Sequence, residues 1–141
     1  MLTISRAFAD AILQQSRDQY PEEACGVILG PAGSGSAQRF KPMLNAAHSP
    51  TFYEFDPRDL LALYKEIDAA EEEIVVIYHS HTDTEAFPSR TDIAYAGEPG
   101  AHYVLVSTRD EIAPEVEFRS FRIVSGTVVE EAVSITDQPQ N

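Results

Sequence analysis

The chain has 141 residues, 43% of them hydrophobic and 23% charged, which is the composition of an ordinary globular protein and excludes a fibrous or disordered chain. A single domain with a single core is expected at this length, without disulfides or a structural metal as its main support. Ten basic against twenty-three acidic residues give a net charge of -13, which repels a phosphate backbone and disfavours anionic membranes, so neither nucleic acid nor a membrane is expected as a partner.

In chain order, "LTI" reads as a short strand, and Ser5 can cap a helix in which Phe8, Ala9, Ile12, Leu13 and Tyr20 recur at helical spacing before Pro21 stops it. "ACGVILG" (24–30) is a compact apolar strand closed by the loop "PAGSGS", and "AQRFKPML" (37–44) can pair back on it as a hairpin. "TFYEF" (51–55) reads as a further strand. The segment "DPRDLLALYKEIDAA" (56–70) opens with a capping Asp56 and Pro57 at the first helical position, and it sets Leu60, Leu61, Tyr64 and Ile67 on one face. Glu71 to Glu73 read as a solvated turn before "IVVIY" (74–78), a β-branched run expected to be a central strand buried on both sides. "PSRTDIAYAG" predicts a short helix from Ser89 to Gly97. "HYVLVST" and then "VEFRSFRIVSGTVVEEAV" follow as strands, with Ser125-Gly126 turning a closing hairpin. The domain is expected over 1–135 with a frayed tail over 136–141, and the elements together predict an α+β or α/β layer structure, a mixed sheet flanked by helices.

No apolar run is long enough to span a bilayer, and "MLTISRAFAD" lacks the pattern of a signal peptide, so a cytoplasmic location is expected. The lone cysteine, Cys25, cannot form an internal disulfide, and beside apolar strand residues it reads as buried and inert rather than nucleophilic. His48 and His102 have no metal spacing of their own.

The chemistry gathers in "YHSHTDTEAFPSRTD" (78–92). Side chains of an extended segment alternate faces, so His79 and His81 point the same way while Ser80 points elsewhere. A catalytic zinc site has three protein ligands and an open position, which leaves a place for a carboxylate, and Asp92 at the start of the next helix is the best placed. The set closes as two histidines and one aspartate, suited to metal-assisted hydrolysis. On spacing alone a second reading stands beside it, because Ser89-x-x-Asp92 before a helix is also a capping box. Capping does not account for two same-face histidines at the end of a buried strand.

His-Ser-His, seven residues, Ser, two residues, Asp resembles the signature of the JAMM (JAB1/MPN/Mov34) metallopeptidases, and "PEEACGVILG" resembles their upstream segment. "PEEACGV", "SPTFY", "VIYHSHTDTEAFPSRTD" and "AHYVLVSTRD" extend the likeness to the bacterial CysO-cysteine peptidase group. The resemblance implies a single MPN domain of cytidine deaminase-like architecture. It implies one Zn2+ per chain held by His79, His81 and Asp92, with Glu23 as general base and Ser89 at the oxyanion. It also implies, as substrate, a ubiquitin-like sulfur-carrier protein with a C-terminal Gly-Gly tail, from which cysteine is released. The same chemistry on another ubiquitin-like conjugate and a non-catalytic MPN scaffold are the alternatives; a scaffold typically loses ligand residues, and none is lost here.

Overall fold

The computed structural model describes residues 1–109 and 117–137. Strand β1 (Leu2–Ser5) leads into helix α1 (Arg6–Gln19), whose N-cap Ser5 accepts a hydrogen bond from the Phe8 amide at 3.2 Å. The hairpin β2 (Cys25–Pro31) and β3 (Arg39–Met43) follows, then helix α2 (Pro57–Ala70) and the long strand β4 (Glu72–His81). A one-and-a-half-turn helix α3 (Arg90–Tyr95) leads to β5 (His102–Ser107), β6 (Phe118–Val124), β7 (Thr127–Glu131) and β8 (Val133–Thr136). Six strands form one sheet in the order β3-β2-β4-β5-β6-β7, in which only β4 and β5 run parallel, while β1 and β8 pair separately. This is the mixed sheet flanked by helices that the sequence predicts.

The alternation of β4 explains where everything else lies. Val76 and Tyr78 point into a core shared with Ile12 and Leu13 of α1, whereas Ile77 points the other way, into a core with Leu63 of α2. Each fully buried aliphatic side chain contributes about 1.5–3 kcal/mol, so both helices are held chiefly by these two apolar layers. His79 and His81 continue the Ile77 side and therefore face α2, α3 and the loop before α2. Tyr78 needs space on its own side. A Cβ at Gly26 would lie 2.2 Å from its hydroxyl, so the neighbouring strand carries glycine there.

Several expectations are corrected. Residues 51–55 do not form a strand: only an isolated bridge joins Asn45 and Phe55, because the Asn45 side chain takes up the Phe52 carbonyl and the Glu54 amide that a neighbouring strand would use. The buried position of α2 is Leu63, flanked by the partly buried Leu60 and Ile67. Leu61 is exposed, lying nearly opposite Leu63 at about 3.6 residues per turn, and Tyr64 is exposed too. Tyr20 also stands in solvent as the C-cap of α1.

Glu71 to Glu73 are more than a solvated turn. Glu71 takes the left-handed conformation that ends α2 (φ 54°), Glu72 bonds Arg39 at 2.6 Å, and Glu73 accepts the amides of Gly33 and Gly35. The histidines form the last turn of the pleat in β4 rather than following it. Ser125 and Gly126 make the closing turn with positive φ at both positions (50° and 80°), as a two-residue hairpin of this hand requires. Thr136 belongs to β8 and Asp137 pairs with Arg6 at 2.7 Å; residues 138–141 of the expected tail lie outside the described residues. No helix among the described residues is long and apolar enough to cross a membrane.

Candidate metal centre

Three donor atoms converge at the end of β4. His79 Nε2 lies 3.3 Å from His81 Nε2 and 3.1 Å from Asp92 Oδ2, and His81 Nε2 lies 3.0 Å from the same oxygen. Zinc–ligand bonds of about 2.0–2.1 Å in tetrahedral array put neighbouring donors about 3.3 Å apart, so this triangle has the dimensions of one face of a zinc site. Two imidazole nitrogens turned toward each other and toward one carboxylate oxygen are a chemistry that a cation satisfies. The His79, His81 and Asp92 residues therefore fit a bound metal ion, and among the described residues they are the one such group.

The surroundings prepare each of the three side chains for such a role. His81 Nδ1 donates to the Glu85 carbonyl at 2.8 Å, which fixes the tautomer that leaves Nε2 a free lone pair. Burial holds the His79 pKa below its ordinary value and favours the neutral ring a metal requires, and the Tyr53 ring stacks on it at 4.4 Å. His79 Nδ1 is buried with no hydrogen-bond partner among the described residues. Burial works against ionisation of Asp92, yet the close approach of the His79 and His81 rings and the hydrogen bond from the Ser89 amide outweigh it and hold the carboxyl well below the usual range.

Ser89 and Asp92 do form the capping box: Ser89 Oγ accepts the Asp92 amide at 3.0 Å, and Asp92 Oδ2 accepts the Ser89 amide at 2.9 Å. The two readings of this motif are thus one structure, since the oxygen that accepts the cap amide is the oxygen that faces the histidines. With its lone pair engaged by the Asp92 amide, the exposed Ser89 hydroxyl keeps its proton for another acceptor.

Glu23 arrives from the neighbouring strand. Cys25 pairs with His79 in the antiparallel β2–β4 register, and the Ser80 amide bonds the Ala24 carbonyl at 2.9 Å, so two residues upstream Glu23 stands opposite His81 on the same face. Ser80, pointing to the other side as expected, accepts the Ala24 amide on Oγ at 2.8 Å and locks this alignment. Glu23 is 4% exposed, and burial lifts its carboxyl to about 8, with His81 pulling down and Asp92 pushing up. Its neighbour Glu22 is half-buried and bonds His48 Nδ1 at 3.1 Å. His102 bonds Glu131 at 2.6 Å, away from the centre.

Cys25 is fully buried, its thiol directed at the Met43 carbonyl (3.7 Å), and burial pushes its pKa up to about 12. A thiol so placed is neither nucleophile nor ligand. Cys25→Ser is therefore expected to keep the bulk of the activity in a turnover assay, the hydroxyl replacing the thiol against Met43; complete loss in a folded variant would return the thiol to the mechanism.

A cleft of about 490 Å³ runs up to Asp92, bordered by Tyr53, Phe55, Leu60, Tyr95 and Tyr103. Sequence reasoning missed Tyr53, Asn45 and the Glu85 carbonyl, whose roles come from the loop rather than from any motif spacing. "SPTFY" marked the segment but not the stacking of Tyr53 on a ligand.

Known proteins resemble this chain in sequence and in fold. The family model described as prokaryotic homologs of the JAB domain matches residues 5–124. A protein of Mycobacterium tuberculosis (strain ATCC 25618 / H37Rv) named CysO-cysteine peptidase is 50% identical over 98% of this chain and 93% of its own length. One from Haloferax volcanii named desampylase is 32% identical over 75% of this chain and 80% of its own length. Among solved structures, a protein from Desulfitobacterium hafniense aligns with TM-score 0.82 at 28% identity, covering 99% of this chain and 95% of that one. A JAB1/MPN domain protein from Archaeoglobus fulgidus shares the fold with TM-score 0.62 at 15% identity, covering 95% and 98%. A family match spanning most of the chain, joined to a half-identical relative of nearly equal length, places it: the chain belongs to the prokaryotic homologs of the JAB domain.

Proposed function

We propose that the protein is a cytoplasmic zinc metallopeptidase of JAMM type that hydrolyses the C-terminal Gly-cysteine amide of a ubiquitin-like sulfur-carrier protein and releases cysteine. The observation that carries the chemistry is the 3.0–3.3 Å triangle of His79, His81 and Asp92 with the buried Glu23 in register beside it. Likeness to the CysO-cysteine peptidase over 98% of the chain supports the choice of substrate. Zinc, when held by His79, His81 and Asp92, supplies Lewis-acid polarisation of a carbonyl and acidification of water.

The chain's own groups do the rest. The Glu23 carboxylate takes the proton of the attacking water on an Oε atom and returns it to the nitrogen of the departing cysteine, so one group serves as base and then acid. Burial makes this carboxylate a stronger base than an exposed one, so it takes up the proton more readily. The Ser89 hydroxyl, its acceptor side held by the Asp92 amide, donates a hydrogen bond to the carbonyl oxygen as that oxygen gains charge. The carrier's Gly-Gly tail lies in the cleft beside Tyr53 and Tyr95, where narrow glycines can pass the aromatic walls to reach Asp92.

Ser89→Ala is expected to lower kcat by about 10²–10³, the usual cost of one oxyanion donor, and to cost about 1 kcal/mol of stability through the lost cap. Steady-state kinetics alongside thermal melts separate the two; a melt shift with full kcat would leave Ser89 a cap alone.

The substrate is tested by intact-mass measurement of a carrier-cysteine adduct incubated with zinc-loaded protein. Loss of the cysteine mass is the expected result. An adduct left intact while a different ubiquitin-like conjugate is cleaved would overturn the substrate in favour of the activity named for the Haloferax volcanii relative.

A further inference from the structure

Asn45 uses its whole side chain. It is 2% exposed, and its Nδ2 donates to the Glu23 carbonyl and the Phe52 carbonyl, each at 3.0 Å. Its Oδ1 accepts the Ala47 amide at 3.0 Å and the Glu54 amide at 3.3 Å. Every donor and acceptor of a buried amide is thereby engaged, which makes the group costly to replace and its position well determined.

These bonds join two pieces of chain with different duties. One is the approach to β2, where the Glu23 amide also donates to the Ser49 carbonyl at 2.9 Å, so both peptide groups flanking the Glu23 Cα are tied to the 45–55 loop. The other is that loop itself, folded around Asn45, with Tyr53 stacked on His79 and Phe52 to Phe55 bordering the cleft. Glu23 lies before Cys25, where β2 begins, and the bonds between Ala24 and Ser80 tie this approach to β4 rather than to the cleft-lining loop.

We propose that Asn45 is a positioning residue: its amide fixes the peptide group of Glu23 to the cleft-lining loop, so that the general base and the bound substrate amide keep one geometry. The proposal rests on the reading of Glu23 as the base. A misplacement of about 1 Å at a reacting group can cost 10²-fold in rate, which sets the scale of the effect.

Asn45→Asp separates this role from a merely structural one, since it keeps an acceptor for Ala47 and Glu54 and loses both donors. Expected are a kcat reduced about 10–100-fold with one zinc retained, and faster hydrogen exchange at the Glu23 amide, which is readable without any substrate. Asn45→Ala should show the same and a lower melting temperature; if it fails to fold, Asn45→Asp still decides. A folded, zinc-loaded Asn45→Asp with full kcat, unchanged exchange, or a loss explained by missing zinc would overturn the proposal. Glu23→Gln is assayed in parallel: full activity there would instead remove the base assignment, whereas an inactive Glu23→Gln with a fully active Asn45→Asp would sink only the role of Asn45.

Discussion

Replacing His79 or Asp92 by alanine is expected to remove the bound zinc and bring turnover to background. The three donor atoms lie 3.0–3.3 Å apart on three side chains that are at most 12% exposed, and the described residues offer no second group to take over. Two remaining ligands cannot hold a catalytic ion that ordinarily rests on three, and the loss of even an orienting partner costs about 10–100-fold in affinity or activity. The two variants differ in a way that checks the geometry. Asp92→Ala also strips the acceptor from the Ser89 amide and loosens the start of α3, while His79→Ala leaves the capping box whole. Metal analysis on gel-filtered protein, with melts on the same samples, should show both metal-free and only Asp92→Ala weakened at α3. Unchanged metal content and activity in either would refute the ligand assignment.

Glu23→Gln is expected to lower turnover by about 10²–10⁴, the cost of removing a positioned general base, while one zinc per chain remains. Glutamine keeps the shape and cannot take the proton. Its neighbour supplies the control. Glu22 faces solvent and His48, Glu23 is buried opposite His81, and adjacent residues of an extended segment point to opposite sides. Glu22→Gln should therefore turn over near the native rate. Equal losses in both would indicate a structural contribution from the segment, and an inactive Glu22→Gln with an active Glu23→Gln would move the base by one residue.

Much of this centre was legible because it depends on short-range rules. The two-residue period of β4 sends His79 and His81 to one side, and the capping-box spacing puts Asp92 at the first turn of α3, so the convergence of these three side chains follows from strand and helix geometry. Glu23 is a different matter. Its place beside His81 depends on the β2–β4 register, which is fixed by Ser80 bonding Ala24 across the sheet, and no spacing within either segment reveals it. A family resemblance reached it where periodicity did not.

The failures have a common cause as well. Residues 51–55 have strand-like composition, yet the Asn45 amide satisfies their backbone from a distance and folds them as a loop that sets Tyr53 on His79. Leu61 fits an apolar list but faces away from the sheet once Leu63 is buried, because composition does not say which side of α2 meets β4. Glu71 to Glu73 look like a charged turn because each is acidic, and their partners, Arg39 and the amides of Gly33 and Gly35, lie more than thirty residues earlier.

The most direct test of the account is a zinc titration of chelator-stripped protein, following release of cysteine from the carrier adduct by intact mass. Activity absent without metal, rising linearly and breaking at one equivalent per chain, is the predicted result, with Glu23→Gln binding the same equivalent and staying silent. Cysteine release by the metal-free protein, or a titration in which Glu23→Gln gains activity alongside the native chain, would contradict it.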